Sequence, residues 1–290
     1  MTMTNDAVDV NNDTVKWHAA PENSEVLAQR QTRRRMLERG LGIGVPIAFI
    51  ALWQIVASAE LIDQRFFPPP TTVADAAVEL VRDGTLLSNG WDTLRRILLG
   101  FFFGVVSGAF VGLIMGVSSL IRAALDPILT ALYMVPKLAL LPLFLLIFGI
   151  GELSFVVLIS VTVFFFVWLS TMAAFISVPE NYREVARSFN ATPLQKFRHV
   201  LLPAALPDIF VSLRLSIGVA VLVVVGIEFV QSSSGLGWMI WNSWQLFQAP
   251  RMYVGIVLVA LLGVILTGLV RWIGRLAIPW ARDSGAQLPF

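Results

Sequence analysis

Six apolar runs punctuate this 290-residue chain, at about 41–59, 96–117, 127–149, 153–178, 208–230 and 252–272. A helix needs about 20 apolar residues to cross roughly 30 Å of hydrocarbon. Each run is therefore long enough to predict one transmembrane helix. Between the fourth and fifth runs lies a polar island, Glu180 to Pro207, with the sequence ENYREVARSFNATPLQKFRHVLLPAALP.

Composition agrees with this pattern, since 57% of the residues are hydrophobic and only 14% are charged, the balance of an all-α polytopic membrane protein. Cysteine is absent, which removes disulfides, thiolate nucleophiles and Cys-based metal sites. The two histidines, His18 and His199, lie far apart, so no imidazole metal cluster is expected. The first 40 residues carry no apolar stretch of signal-peptide type. The first span itself is then the expected targeting element, behind a tail expected to be disordered to about Gln29.

Charge placement predicts orientation. Arg30, Arg33, Arg34, Arg35 and Arg39 abut the first span, which places the N-terminus in the cytoplasm by the positive-inside rule. Six crossings put Arg183, Arg187, Lys196 and Arg198 of the island on that side, with Arg271, Arg275 and Arg282. Between the first two spans the acids Glu60, Asp63, Asp75, Glu79, Asp83 and Asp92 outnumber Arg65 and Arg82, as an outer segment should. Arg95 and Arg96, at the outer end of the second span, run against the rule and read as interfacial anchors. The N-terminal arginines beside an apolar span serve topology, so no nucleic acid is expected as a partner.

Within the second span Gly100, Gly104, Gly108, Gly112 and Gly116 recur at every fourth position. Such a stripe drifts slowly around a helix and lets another helix approach closely. It fits a subunit or gating interface, or packing within one chain. The third run contains Pro136, Lys137 and Pro142, and broken helices are tolerated where they line a cavity or pack on protein. Lys137 near mid-span and Glu228 near the outer end of the fifth span are candidates for the substrate pathway, because ionisable groups in a span are costly. Lys137 has the alternative of snorkelling or pairing with Glu228 or Glu152.

The island reads as two capped helices. Glu180 and Glu184 come early and Arg187 late, as the helix dipole prefers, and Asn190 supplies a left-handed residue at the end. Thr192, Pro193 and Gln195 form a capping box with proline at the first helical position. The second helix is expected to end before Pro203.

Glu184-Val185-Ala186, three residues, Asn190, nine residues, then Val200, Leu201, Leu202 and Pro203 resembles the EAA loop of ABC importer permeases, E-A-A-x3-G-x9-I-x-L-P. The spacing matches in full. Val185 replaces an Ala, Asn190 the Gly and Val200 the Ile, and Asn is the residue that best tolerates a left-handed position. FPPPTT at Phe67–Thr72, Thr93–Gly104, Pro136–Gly149, and Glu228 with Gly235, Leu236 and Gly237 are similar to the nitrate, sulfonate, taurine and bicarbonate group of these permeases. The likeness spans about 41–275.

The resemblance implies a type I importer permease. Its domains are a cytoplasmic tail at 1–40, a permease domain at 41–275 with the coupling loop at 180–207, and a cytoplasmic tail at 276–290. It implies these partners: a cytoplasmic ABC ATPase dimer, a second permease copy, a periplasmic or lipid-anchored substrate-binding protein, and membrane lipid in a bacterial inner membrane. Arg183, Glu184, Ala186, Arg187, Asn190 and Pro203 would make up the ATPase-coupling surface, and a small anion such as a sulfonate, taurine or nitrate would be the solute.

The chain itself has no enzymatic site. Lys16, Lys137 and Lys196 are not preceded by Gly or followed by Ser or Thr, so no phosphate loop exists. ATP and Mg would therefore sit on the partner ATPase. Ser107, Ser154, Ser160 and Ser170 have no histidine in any span, which leaves no catalytic constellation. The alternative of an ATP-independent secondary carrier or channel would call for an internal repeat and midplane charge pairs, and no convincing repeat is visible.

Overall fold

The computed structural model describes the backbone of residues 24–282 and the side chains of 40–42 and 44–280. Among these residues the ordered elements are all helical. They are α1 (Ser24–Ser58), α2 (Pro70–Arg82), α3 (Thr85–Val117), α4 (Ser119–Tyr133), α5 (Leu141–Phe148), α6 (Glu152–Ile176), α7 (Glu180–Ser188), α8 (Pro193–Lys196), α9 (Leu202–Gln231), α10 (Leu236–Gln245) and α11 (Ala249–Ala277). Of the tails expected at 1–40 and 276–290, residues 1–23 and 283–290 lie outside the described residues, as do the side chains of the N-terminal arginines. Five described stretches are long and apolar enough to cross a membrane, and α4 with the segment Lys137–Phe148 makes a sixth that bends by 86°.

The glycine stripe organises the core. A Cβ added at Gly104 would lie 2.6 Å from the Ser160 carbonyl, at Gly108 2.6 Å from the Phe164 carbonyl, and at Gly112 2.6 Å from the Trp168 carbonyl. Backbone thus meets backbone, which only glycine allows. The structure seats all five glycines against α6 of the same chain, with Ile159 facing Gly100 and Phe175 facing Gly116. This is the packing alternative: the stripe is filled by α6 of the same chain.

Residue numbers rise together along this contact, so α3 and α6 run parallel. The chain between them must return across the layer, and the bent pair of α4 and α5 therefore counts as one crossing. α9 runs the opposite way, its late residue Glu228 meeting the early α3 residue Arg96. α11 then reverses α9, with Gly274 against Phe210. Ile97, Leu158, Ile159, Val163, Ile217, Val224 and Ile227 fill the interior of this bundle.

Two ends result. One carries α2, the turn at 232–235 and α10; Leu80, Leu86, Leu236, Met239 and Val254 cluster there. The other carries α7, α8 and the C-terminal turn Pro279–Arg282, where the Trp280 indole donates to the Pro203 carbonyl at 3.3 Å.

Pro203 does not stop the second island helix. The helix runs from α8 through a π turn, Phe197–Leu201, straight into α9, as one stretch, Pro193–Gln231. A proline ring clashes with the carbonyl four residues back and supplies no N–H. Widening the turn by one residue moves the Leu202 N–H onto the Phe197 carbonyl and gives the ring room, and Pro203 sits in the first turn of α9.

Candidate functional site

The loop from Pro179 to Leu201 is fixed by local chemistry. At the end of α7, Asn190 has φ 51°. Its N–H donates to the Arg187 carbonyl at 2.9 Å, and the Ala191 N–H donates to the Ala186 carbonyl at 3.0 Å. These two bonds form a Schellman motif closed by an asparagine. Two residues on, Thr192 Oγ1 accepts the Gln195 N–H at 3.3 Å, and Gln195 Oε1 accepts the Thr192 N–H at 2.9 Å. This is the complete capping box that the sequence predicts.

The loop divides its residues between support and surface. Arg183, one of the residues expected in the coupling surface, is half-buried and donates to the Phe175 carbonyl at 3.1 Å, so it ties α7 to the end of α6. Arg187 and Arg183 both reach Glu180, at 3.2 and 3.7 Å. Ala186 is buried at the floor of a groove between α7 and the π turn, walled by Val185, Phe189, Gln195 and His199. Glu184 is exposed. The apolar Val185, Phe189 and Leu194 are 57%, 82% and 72% exposed, an arrangement that burial within the chain does not explain.

At the opposite end lies a buried ion cluster. Arg96 and Glu228 are almost wholly out of solvent. Arg96 Nη1 donates to Glu228 Oε1 at 2.6 Å and to the Ser234 carbonyl at 2.8 Å. Its Nη2 donates to Ser234 Oγ and to Glu152, and its Nε also reaches Glu152. All five guanidinium N–H groups are thereby used. Glu152 is shared with the exposed Arg95 at 3.2 Å, and the Arg96 guanidinium lies 5.1 Å from the Phe155 ring centre.

The same cluster starts α10. Gly235 N–H donates to Asn89 Oδ1 at 2.7 Å, Leu236 N–H to Thr93 Oγ1 at 2.8 Å, and Gly237 N–H to Glu228 Oε2 at 2.8 Å. Three successive orphan N–H groups of a helix start are satisfied by side chains from α3 and α9. Any Cβ at Gly235, at φ 108°, or at Gly237 would run into Glu228.

Arg96 is thus no interfacial anchor, and the sequence signal was available. Asn89, Thr93, Arg96 and Gly100 follow helical spacing, so Arg96 continues the glycine stripe and faces inward. Glu228 lies in this cluster, and its carboxylate is committed to Arg96, Thr93 and Gly237. Lys137 pairs with neither Glu228 nor Glu152. Its Nζ donates to the carbonyls of Leu132, Tyr133 and Val135, about the bend between α4 and α5. Among the described residues no group of His, Cys, Asp or Glu has metal-binding geometry.

Residues 102–278 match the family described as binding-protein-dependent transport system inner membrane component. The chain is 34% identical over 258 residues to the putative aliphatic sulfonates transport permease protein SsuC of Bacillus subtilis, covering 89% of this chain and 93% of that one. It is 34% identical to the taurine transport system permease protein TauC of Escherichia coli, covering 83% and 89%. To the nitrate import permease protein NrtB of Synechococcus elongatus it is 29% identical, covering 81% and 88%. Among solved structures, a chain of the MetNI methionine ABC transporter in an inward-facing conformation superposes with a TM-score of 0.55 at 25% identity, over 65% of this chain and 92% of that one.

Proposed function

Since the chain belongs to the family of binding-protein-dependent transport inner-membrane components, we propose that its α7–α8 loop is the surface through which a cytoplasmic ATPase drives solute across the membrane. The chain is a multi-pass permease subunit of an ABC importer, and it is not an enzyme. ATP hydrolysis belongs to a partner chain, and a substrate-binding protein is the other partner of this class.

One observation carries the loop assignment. Two helices closed by a Schellman motif and a capping box hold Val185, Phe189 and Leu194 out in water. A segment so preorganised binds without an ordering cost. The helix that begins in the loop at Pro193 continues unbroken to Gln231, so a push on the loop is a push on a span. In this reading Glu184 and Arg187, both exposed, meet the ATPase surface, with Ala186 and Asn190 keeping the loop tight and Arg183 and Pro203 anchoring its two roots. ATP and its magnesium are bound by that ATPase.

The loop faces the cytoplasm in this reading. Arg183, Arg187, Lys196, Arg198, Arg271 and Arg275 all lie toward the end of the bundle that holds α7, which the positive-inside rule favours as the inner side; six crossings then give the N-terminus the same side. Two copies of the chain pair around the solute path, within a bacterial inner membrane. The solute is a small anion of the sulfonate, taurine or nitrate type, as the names of the relatives indicate.

The test is ATP-dependent uptake by vesicles holding the permease with its ATPase and binding protein. Uptake that continues when the ATPase is catalytically dead would overturn the assignment in favour of a self-sufficient carrier or channel.

A further inference from the structure

The third crossing breaks at a place where open carbonyl groups are costly. Between α4 and the segment Lys137–Phe148 the backbone turns by 86°, and Pro136 and Pro142 bring no N–H groups to repair it. Backbone polar groups at membrane depth have to be satisfied within the protein or by water in a cavity.

Lys137 meets this demand with its whole donor set. Its Nζ donates to the carbonyls of Leu132 at 2.9 Å, Tyr133 at 2.7 Å and Val135 at 2.7 Å. An ammonium has three N–H groups, so none is left over. The charge also lies 4.4 Å from the Phe165 ring centre and 5.5 Å from that of Tyr133, within cation–π reach. None of the described ion pairs includes Lys137. Its charge is therefore spread over dipoles and rings but not cancelled.

The outer side of the break is left open by this chain. Met134 is 71% exposed and Leu138 is 49% exposed, and Pro136 is exposed. Irregular backbone is not tolerated against lipid, so this side faces either water or protein. An uncancelled cation at the break favours water, because a dry protein contact would have to bury that charge.

We propose that the break at 133–138 faces the solute pathway and that Lys137 is a specificity-determining residue there, setting the sign of charge the pathway favours. Bare carbonyl oxygens draw cations. The same three carbonyls, capped by one ammonium, present a net positive charge and draw anions. Lys137 acts through its field and through the backbone it holds, not as a solute ligand, since its donors are spent. This rests on the solute being a small anion.

The chain has no cysteine, so single cysteines introduced into the assembled transporter can be labelled without background. Met134→Cys is treated with an anionic reagent, sulfonatoethyl methanethiosulfonate, and a cationic one, its trimethylammonium counterpart. The ratio of the two rates is normalised to that at exposed Ser88→Cys. The proposal expects the ratio at Met134→Cys to favour the anionic reagent, and Lys137→Met to shift it toward the cationic one by roughly ten-fold, as loss of a nearby unit charge acting oppositely on the two would do. Lys137→Arg should preserve it. Absence of labelling at Met134→Cys would place the break against lipid or protein and overturn the proposal. So would a ratio equal to that of Ser88→Cys with Lys137 intact, which decides the matter even if Lys137→Met fails to assemble. Uptake of methanesulfonate by the unlabelled parent complex tests the anion reading separately.

Discussion

Arg96 and Glu228 stand 132 residues apart in the chain and meet at 2.6 Å, with their side chains 2% and 0% exposed. Removing one partner of a buried pair strands the other charge and costs about 3–5 kcal/mol, whereas replacing both by apolar groups is often far less harmful. Arg96→Met is therefore expected to lower the unfolding temperature in detergent markedly. The double variant Arg96→Met, Glu228→Met should recover part of the loss. A double variant no better than the single one would show that the pair is not the unit of stability at this end.

The glycine stripe has an internal control. At Gly108 an added Cβ would lie 2.6 Å from the Phe164 carbonyl, while at Gly268 nothing lies within 4 Å. Gly108→Ala should force α3 from α6 and destabilise by about 1–3 kcal/mol, in the range of overpacked cores. Gly268→Ala should be close to neutral. Thermal unfolding of the two purified variants compares them directly.

Asn190 donates its N–H to the Arg187 carbonyl from a left-handed backbone. Asn190→Gly keeps both features and should support full uptake. Asn190→Pro removes the donor and forbids the positive φ. It should abolish ATPase co-purification or uncouple hydrolysis from uptake, with membrane insertion intact. Glu184→Lys is expected to act in the same direction through the exposed surface of α7. Unchanged uptake in both variants would sink the coupling assignment.

Thr192→Ala removes the side chain that accepts the Gln195 N–H. Loss of an N-cap costs about 1 kcal/mol, and here it is confined to the start of one helix. Hydrogen exchange should quicken over 193–197 and stay unchanged in α7, which the Schellman bonds hold independently.

Much of this protein is legible locally. Apolar runs place the spans, because a lipid-crossing helix needs about 20 mostly apolar residues. The turn at Asn190 and the box at Thr192 and Gln195 are legible for a related reason: every bond involved joins residues within five positions. Pro203 shows the limit of such reading. A proline at this position predicts the end of a helix, but a π turn carries the helix through it, and α9 is held in the bundle by its buried face at Ala205, Ser216 and Ile217.

The charged residues are a different case. Arg96 looked like an anchor at the edge of the membrane, yet Glu152 and Glu228 lie 56 and 132 positions away, and no local rule brings them together. Lys137 looked ready to pair with one of those same carboxylates. The bend that turns α5 away from α4 gives it three carbonyls instead.

A helical membrane protein, the approximate extent of its crossings and the caps of its loop are all legible in the amino-acid order, because apolarity and capping act over a few residues. Which helix fills the glycine stripe, which acid Arg96 keeps out of water, and what Lys137 holds emerge from the folded chain alone. Those outcomes depend on packing between distant segments in a medium where an unpartnered polar group is costly.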